Sequence, residues 1–443
     1  MNLKDNNFQG KEIDWSKYCE KDIRYFSEIT IAELANKDGE NLLIFPHCLN
    51  AQHIDIDEQN TILKVKGNKI ITSNYMGFIS RNSTEITIRS RFDKGDSNFF
   101  MHYMLQKVFA VNIFNMQISK GQQSVWDFLI YLFPYYLKKA LRQGVYKKYQ
   151  RNYYNDTRVK GTIDVSRHIK ENIPFSGAIA YSTRQHSYDN NVTQLIRHTI
   201  EYISTHKFGG RGILQCDNDV RQAVNQIVLA TPSYLKSNRA KIVTSNLRQE
   251  RHTYYTEYSF LQKLCLQILR GDKISFGAKD KDKVYGLIFD GAWLWEEYLS
   301  TFLQPLGYIH PRNKDQTNYI TLFKNNKGRS YPDFYIKGSV VLDAKYKRNN
   351  DKDNIERSDI HQIITYMHCI PASIGGLIYP QNSYVDIDSN SSISEYGSLE
   401  GYGGKVFKIY HHIKQYDNQD TYTSFIAAMR DSENILIRNL STL

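Results

Sequence analysis

The sequence predicts an α+β protein of several domains: a β-rich N-terminal region, a helical middle region and a C-terminal mixed α/β core whose elements run αβββαβ. Three observations predict it. The 443 residues exceed what one ordinary hydrophobic core serves. The apolar spacing changes character along the chain, from alternation to helical periodicity to a mixture of both. A 41% apolar and 13% aromatic composition supplies ample material for burial and excludes a disordered chain. The changes of pattern set boundaries near residues 95 and 285, giving regions 1–95, 96–285 and 286–443.

The first region is read from "NTILKVKGNKIITSNYMGFISRNSTEITIRSRF", where short alternating runs broken by Gly and Asn suggest a meander. In the second, "FFMHYMLQKVFAVNIF" and "VWDFLIYLFPYYLKKAL" place apolar residues at helical spacing, and Pro134 should kink or divide the latter. Further helices are expected over Val192–His206, Val220–Leu229 and Thr256–Ile268. The polar "FGAKDKDKVY" then reads as a loop into the third region. There a helix over Gly291–Phe302 precedes a strand near "NYITLFK" and a hairpin over 331–347. A helix over Ser358–Met367, strands in "SIGGLIYP" and "KVFKIYHHI", and a helix over Thr421–Met429 complete the order.

Composition narrows the function classes. The N-terminal stretch has no basic segment followed by an apolar one, and no run is long enough to span a bilayer, so the expectation is a cytoplasmic protein with no membrane association. Five scattered cysteines without a CxxC pair fit a reducing compartment. The net charge is +11, yet residues 286–443 carry 16 Lys and Arg against 18 Asp and Glu, so the first 285 carry +13. Within them Lys138, Lys139, Arg142, Lys147, Lys148, Arg151, Arg158 and Lys160 cluster with interleaved tyrosines. Cations neutralise phosphates and aromatic faces stack on bases, making this a candidate DNA-binding surface; a solvated face in a Lys- and Tyr-rich chain is the alternative.

The hairpin "YPDFYIKGSVVLDAKYKRNN" carries the chemistry. Strand alternation puts Asp333 and Tyr335 on one face and Pro332, Phe334 and Ile336 on the other; Val341, Asp343 and Lys345 likewise oppose Val340, Leu342 and Ala344. A three-residue turn at Lys337, Gly338 and Ser339 pairs Ile336 with Val340 and so sets Asp333 opposite Asp343. Cross-strand Cβ atoms lie only about 5 Å apart, and two carboxylates at that distance persist when a cation sits between them. Mg²⁺ suits such a pair, because it takes one or two carboxylates and leaves positions for water and phosphate oxygens. Lys345, on the same face, could stabilise developing phosphate charge or help deprotonate the attacking water. On the preceding helix Trp293, Glu296 and Glu297 lie roughly on one side, so periodicity leaves open which glutamate reaches the metal. On the following helix Asp359, Gln362 and Tyr366 form a polar stripe, in which Gln362 could orient water or phosphate; a solvated surface is the rival reading.

These residues resemble the PD-(D/E)xK nuclease superfamily, and more narrowly the McrC family, the nuclease subunits of McrBC-type modification-dependent restriction systems. "YPDF" and "LDAKYK" match the catalytic strands, "DIHQIITYM" the following helix, and "LWEEYL" the acidic helix, which favours Glu296. "RVKGTIDVSRHIKEN" is similar to a family segment in which Thr162 stands for an arginine, and "GFISRNSTEITIRSRFD" is similar to the family's N-terminal region. "DNNVTQLI" lacks the usual Asn-Arg pair. The likeness covers about residues 75–380. It implies a PD-(D/E)xK core, Asp333, Asp343 and Glu296 as metal ligands, and Lys345 and Gln362 as further catalytic residues. It also implies a Mg²⁺-dependent DNA endonuclease subunit that docks through its N-terminal half on a McrB-like hexameric AAA+ GTPase or ATPase. No GxxxxGK[ST] loop occurs, so no nucleotide is expected to bind this chain itself. The alternatives are a regulatory adaptor of the AAA+ ring whose nuclease site is dispensable, and a stand-alone repair or junction nuclease.

Overall fold

A computed structural model describes residues 1–38, 42–46, 61–82, 84–94, 98–109, 123–205, 210–215, 217–248, 252–271, 282–311, 318–348, 355–383, 392–401, 403–414 and 422–443. The chain is a mixed α/β protein of two compact units, one formed by Met1–Ala110 with Phe276–Leu443 and the other by Val111–Ser275.

The division differs from the expected boundaries at 95 and 285, because the first and third regions share one unit. The reason is a single strand. Val284–Asp290 inserts between Tyr75–Arg81, to which it is antiparallel, and Leu42–Phe45, to which it is parallel. Thr84–Arg89 and Asn2–Lys4 extend the sheet on the far side of Tyr75–Arg81. Two glycines permit the close approach. A Cβ at Gly286 would lie 2.3 Å from the Phe78 carbonyl oxygen, and one at Gly77, whose φ is +130°, would lie 2.1 Å from that of Leu287. Sheet residues Ile79, Ile86, Ile88, Val284 and Ile288 pack with Ile23, Phe26 and Leu34 in the helices Glu20–Glu28 and Ile31–Asp38. Asp290 ends the inserted strand and caps the helix Gly291–Leu303, accepting from the Ala292 and Trp293 amides. The N-terminal sheet therefore fixes where that acidic helix begins.

The second sheet of this unit orders its strands Phe334–Ile336, Val340–Ala344, Ile374–Ser383, Lys405–Lys414 and Ile393–Ser398. The hairpin is antiparallel, the next two additions are parallel and the last is antiparallel. Helix Arg357–Cys369 makes the crossover between the parallel neighbours and buries Ile363, Tyr366 and Met367 against Val341, Leu377 and Tyr379. The expected αβββαβ order is corrected here. The strand foreseen near 318–324 is the two-residue Ile320–Thr321, which among the described residues pairs with Arg329–Ser330 in a separate two-stranded ribbon. "NYITLFKNNKG" is too polar to lie within a sheet covered on both faces.

Four elements of the unit meet at Glu433, which is 5% exposed on the helix Tyr422–Leu440. Its carboxylate accepts from Tyr103 Oη and Tyr298 Oη, each at 2.8 Å, and from Lys107 Nζ at 2.7 Å. His411 Nε2 lies 2.9 Å from Tyr298 Oη, and burial holds that imidazole down at about 3, so it is neutral.

The other unit combines the expected helices with a three-stranded sheet that the sequence reading omitted. Lys148–Asp156 pairs with Ile179–Ser187, which also pairs with Thr162–Ile163. Helix Gln123–Leu141 runs without division through Pro134; buried Leu129, Ile130, Leu132, Phe133 and Leu137 keep it packed on both sides of the ring. Most of the "FGAKDKDKVY" loop lies outside the described residues. Among the described residues no helix is long and apolar enough to cross a membrane.

Candidate active site

The hairpin has the register its turn requires. Gly338 takes a φ of +76°, Ser339 donates its amide to the Ile336 carbonyl at 3.0 Å, and Ile336 pairs with Val340. One step beyond Phe334 and Leu342, Asp333 stands across from Asp343. Its Oδ2 accepts from the Ala344 amide at 2.6 Å, holding the side chain against the opposite strand. Its carbonyl accepts from His310 Nδ1 at 2.6 Å, and the same imidazole stacks on Phe334 with ring centroids 4.7 Å apart.

The expected contrast between a buried and an ionic face needs correction, because every residue of Val340–Ala344 is buried. Asp343 is only 2% exposed. The helix Arg357–Cys369 covers its face, and the polar stripe of that helix points inward. Lys345 Nζ lies 2.5 Å from Asp343 Oδ2 and 3.4 Å from Asp359 Oδ1, and it donates to Gln362 Oε1 at 2.9 Å. Gln362 Nε2 donates in turn to Tyr366 Oη at 3.0 Å. Lys347 Nζ bridges Asp359 Oδ2 at 2.6 Å and Glu356 Oε2 at 2.7 Å. Asp359, Tyr366, Lys347 and His310 were not among the expected site residues. The Asp359, Gln362 and Tyr366 spacing was the available signal for two of them.

Electrostatics separates the two glutamates. Burial first, then the charges of Glu296 and Asp343, push the Asp333 carboxyl well above the ordinary carboxylate range, against the Ala344 amide and Lys345. Glu296 is thus close enough to repel Asp333, whereas Glu297 Oε1 lies 3.9 Å from His310 Nε2. Asp333 as a residue is half-buried, and its carboxylate is enclosed by protein atoms. Burial also raises Asp343, which Lys345 only partly offsets. For Lys345 burial acts downward, but Asp343, Asp359 and Asp333 outweigh it and drive the ammonium above its usual value. The raised pKa keeps Lys345 positively charged among these carboxylates.

The arrangement has too little positive charge for its carboxylates, and the donor set consists of hard oxygens, the type Mg²⁺ prefers. Among the described residues no three His, Cys, Asp or Glu side chains are assembled to hold a metal ion. A cation here would therefore rest on Asp333 and Asp343, with its remaining positions left to solvent and substrate oxygens, which is how Mg²⁺ commonly binds.

The eight cations expected to contact DNA divide by environment. Lys138 and Lys139, at the end of the helix Gln123–Leu141, pair with Asp217 at 2.6 Å and Glu257 at 3.2 Å. Lys147 sits 4.9 Å from the Tyr188 ring centroid, and Arg151 Nε donates to Ser182 Oγ at 3.1 Å. Arg142, Arg158 and Lys160 are exposed, and Lys148 is half-buried. Arg184 and Arg167 lie over one face of Tyr149 and Tyr153, and both rings remain more than half exposed.

A hairpin bearing opposed aspartates and a lysine, a helical crossover and an acidic helix define a mixed α/β protein with a buried acidic cluster around one lysine. Residues 70–380 match the family described as McrBC 5-methylcytosine restriction system component, and the chain belongs to that family. Its fold is similar to that of a chain from a refined half-complex of the tetradecameric assembly of Thermococcus gammatolerans McrB AAA+ hexamers with bound McrC. That likeness has a TM-score of 0.52 at 16% identity and covers 98% of this chain and 99% of that one. A second match, from the cryo-EM structure of the Thermococcus gammatolerans McrBC complex, has a TM-score of 0.33 at 14% identity, covering 69% of this chain and 87% of that one. No curated protein matches the chain.

Proposed function

We propose that this chain is a Mg²⁺-dependent DNA endonuclease subunit with a PD-(D/E)xK core, acting with a hexameric AAA+ NTPase that recognises modified DNA. The convergence of Asp333, Asp343 and Lys345 carries the proposal. Asp333 and Asp343 would hold the metal, with Glu296, whose charge acts on Asp333, as a further candidate ligand; the metal when bound would polarise the phosphoryl oxygen and favour ionisation of water. Asp333 is oriented by the Ala344 amide and by the His310 contact to its own carbonyl. Lys345 supplies positive charge where charge develops on the phosphate, and Gln362, Tyr366 and Asp359 hold its ammonium in place. The role of an AAA+ partner follows from family membership and from the likeness to the Thermococcus assembly.

The test uses the intact chain, because Val284–Asp290 completes the N-terminal sheet and a cut near 285 would open it. The chain is purified with a McrB-type AAA+ protein, and plasmid cleavage and NTP hydrolysis are followed with Mg²⁺ and GTP or ATP. Severalfold stimulation of hydrolysis, with cleavage requiring metal and nucleotide together, is expected. Cleavage by the chain alone without nucleotide would instead support a stand-alone nuclease. Absence of metal-dependent cutting under every condition would reject the proposal.

A further inference from the structure

A cleft of 880 Å³ opens where the N-terminal segment Asn2–Lys11 meets Arg89, Arg91, Lys347, Arg348 and Glu356, all within the same unit as the hairpin. Its two carboxylates are already engaged: Asp5 pairs with Arg91 at 2.6 Å and Glu356 with Lys347 at 2.7 Å. Three further cations of the cleft are held by main-chain oxygens, which leave their charge in place. Lys4 Nζ donates to the Asp93 carbonyl at 2.7 Å, Lys11 Nζ to that of Asn2 at 2.9 Å, and Arg348 Nη2 to that of Arg91 at 2.6 Å.

Lys4 and Arg89 are direct partners in the parallel pairing of Asn2–Lys4 with Thr84–Arg89. Like charges placed so close are unfavourable. The Lys4 ammonium is driven below its usual value by burial and then by Arg348, with Arg89 adding to the effect. The cleft therefore has a surplus of positive charge that an anion would relieve. At its mouth Phe8 is 76% exposed, and cations beside an accessible ring make up the usual signature of single-strand binding. Lys347, on one wall, shares Asp359 with Lys345.

We propose that this cleft binds a segment of nucleic-acid strand, its phosphates on Lys4, Lys11, Arg89 and Arg348 and a base on Phe8, and feeds that strand to the site around Asp343. Lys4, Phe8 and Lys11 precede the residues that match the family. The inference rests on the nuclease reading for its destination, but not for its chemistry.

The test measures binding of a fluorescent single-stranded oligonucleotide by anisotropy across a salt series. All proteins in the binding series are full-length and carry Asp343→Asn, with folding checked by circular dichroism, and cutting is followed separately with the wild-type protein. Lys4→Gln combined with Lys11→Gln should weaken binding about tenfold or more and reduce the log–log salt slope by about 1.4, the value for two lost phosphate contacts on a single strand. Phe8→Ala, a change at an exposed position, should weaken binding about fivefold or more with the slope unchanged. Parent-like binding by the lysine variant overturns the proposal. Loss with the lysine variant, parent-like binding by Phe8→Ala and displacement of the oligonucleotide by inorganic phosphate at constant ionic strength would mean a phosphate site only, and also overturn it. Weakened binding in both variants, beside a wild-type protein that never cuts, would keep the cleft and reject the nuclease reading. Metal-dependent cutting with unchanged binding would do the reverse.

Discussion

If the proposed activity is right, Asp343→Asn is expected to give a folded protein that still binds the AAA+ partner and cleaves DNA roughly 10³-fold more slowly, or not measurably, at saturating Mg²⁺. The substitution keeps the shape of the side chain and removes the charge opposite Asp333. Lys345 still has Asp359 at 3.4 Å and Gln362 at 2.9 Å, so its ammonium is not left alone in the interior and the fold survives. The loss therefore falls on chemistry, read as plasmid nicking beside unchanged partner NTP hydrolysis. Cutting at the wild-type rate would remove Asp343 from the reaction.

Glu433→Ala is expected to have the largest effect on stability, at about 3–5 kcal/mol, because removing one side of a buried charged cluster strands the groups left behind. Two tyrosine hydroxyls and the Lys107 ammonium lose their common acceptor where the helices Phe99–Phe109, Gly291–Leu303 and Tyr422–Leu440 meet. At about 2–4 °C per kcal/mol the melting temperature falls by about 10 °C. Glu433→Gln keeps an acceptor for the hydroxyls and falls less. A change of under 1 kcal/mol for Glu433→Ala, measured by denaturant unfolding, would mean that solvent reaches the cluster.

What was legible in the sequence was local. The period-two pattern and the length of the Lys337–Gly338–Ser339 turn sufficed to place Asp333 across from Asp343, because a hairpin register follows from its turn. The helix after it carried Asp359, Gln362 and Tyr366 at helical spacing, but periodicity does not say what a stripe faces. Only the crossover onto the sheet turns it toward Lys345. Glu296 and Glu297 are adjacent in sequence and separate only through their neighbours in space, Asp333 for one and His310 for the other. The assignment of Val284–Asp290 to the N-terminal sheet joins residues some 200 positions apart, a pairing that no local pattern encodes. The same limit hid the cleft, whose walls are Lys4 and Arg348.

The site holds its carboxylates together with too little positive charge to balance them, and the thermal stability of Asp333→Asn as a function of Mg²⁺ tests this most directly. The folded-state pKa of Asp333 lies above its unfolded value, so the native state retains a proton that the unfolded chain releases. Its penalty is absent below the ordinary carboxylate pKa and grows as pH rises through the raised one. Asn keeps an oxygen for the Ala344 amide and removes the charge. Without metal, Asp333→Asn should melt a few degrees above wild type at pH 7 and nearly level with it at pH 4. Mg²⁺ should stabilise wild type by about 2.7 kcal/mol at a hundredfold excess over its dissociation constant, and leave the variant unmoved. Equal Mg²⁺-induced shifts in the two proteins, or a variant less stable than wild type at pH 7 without metal, would contradict the account.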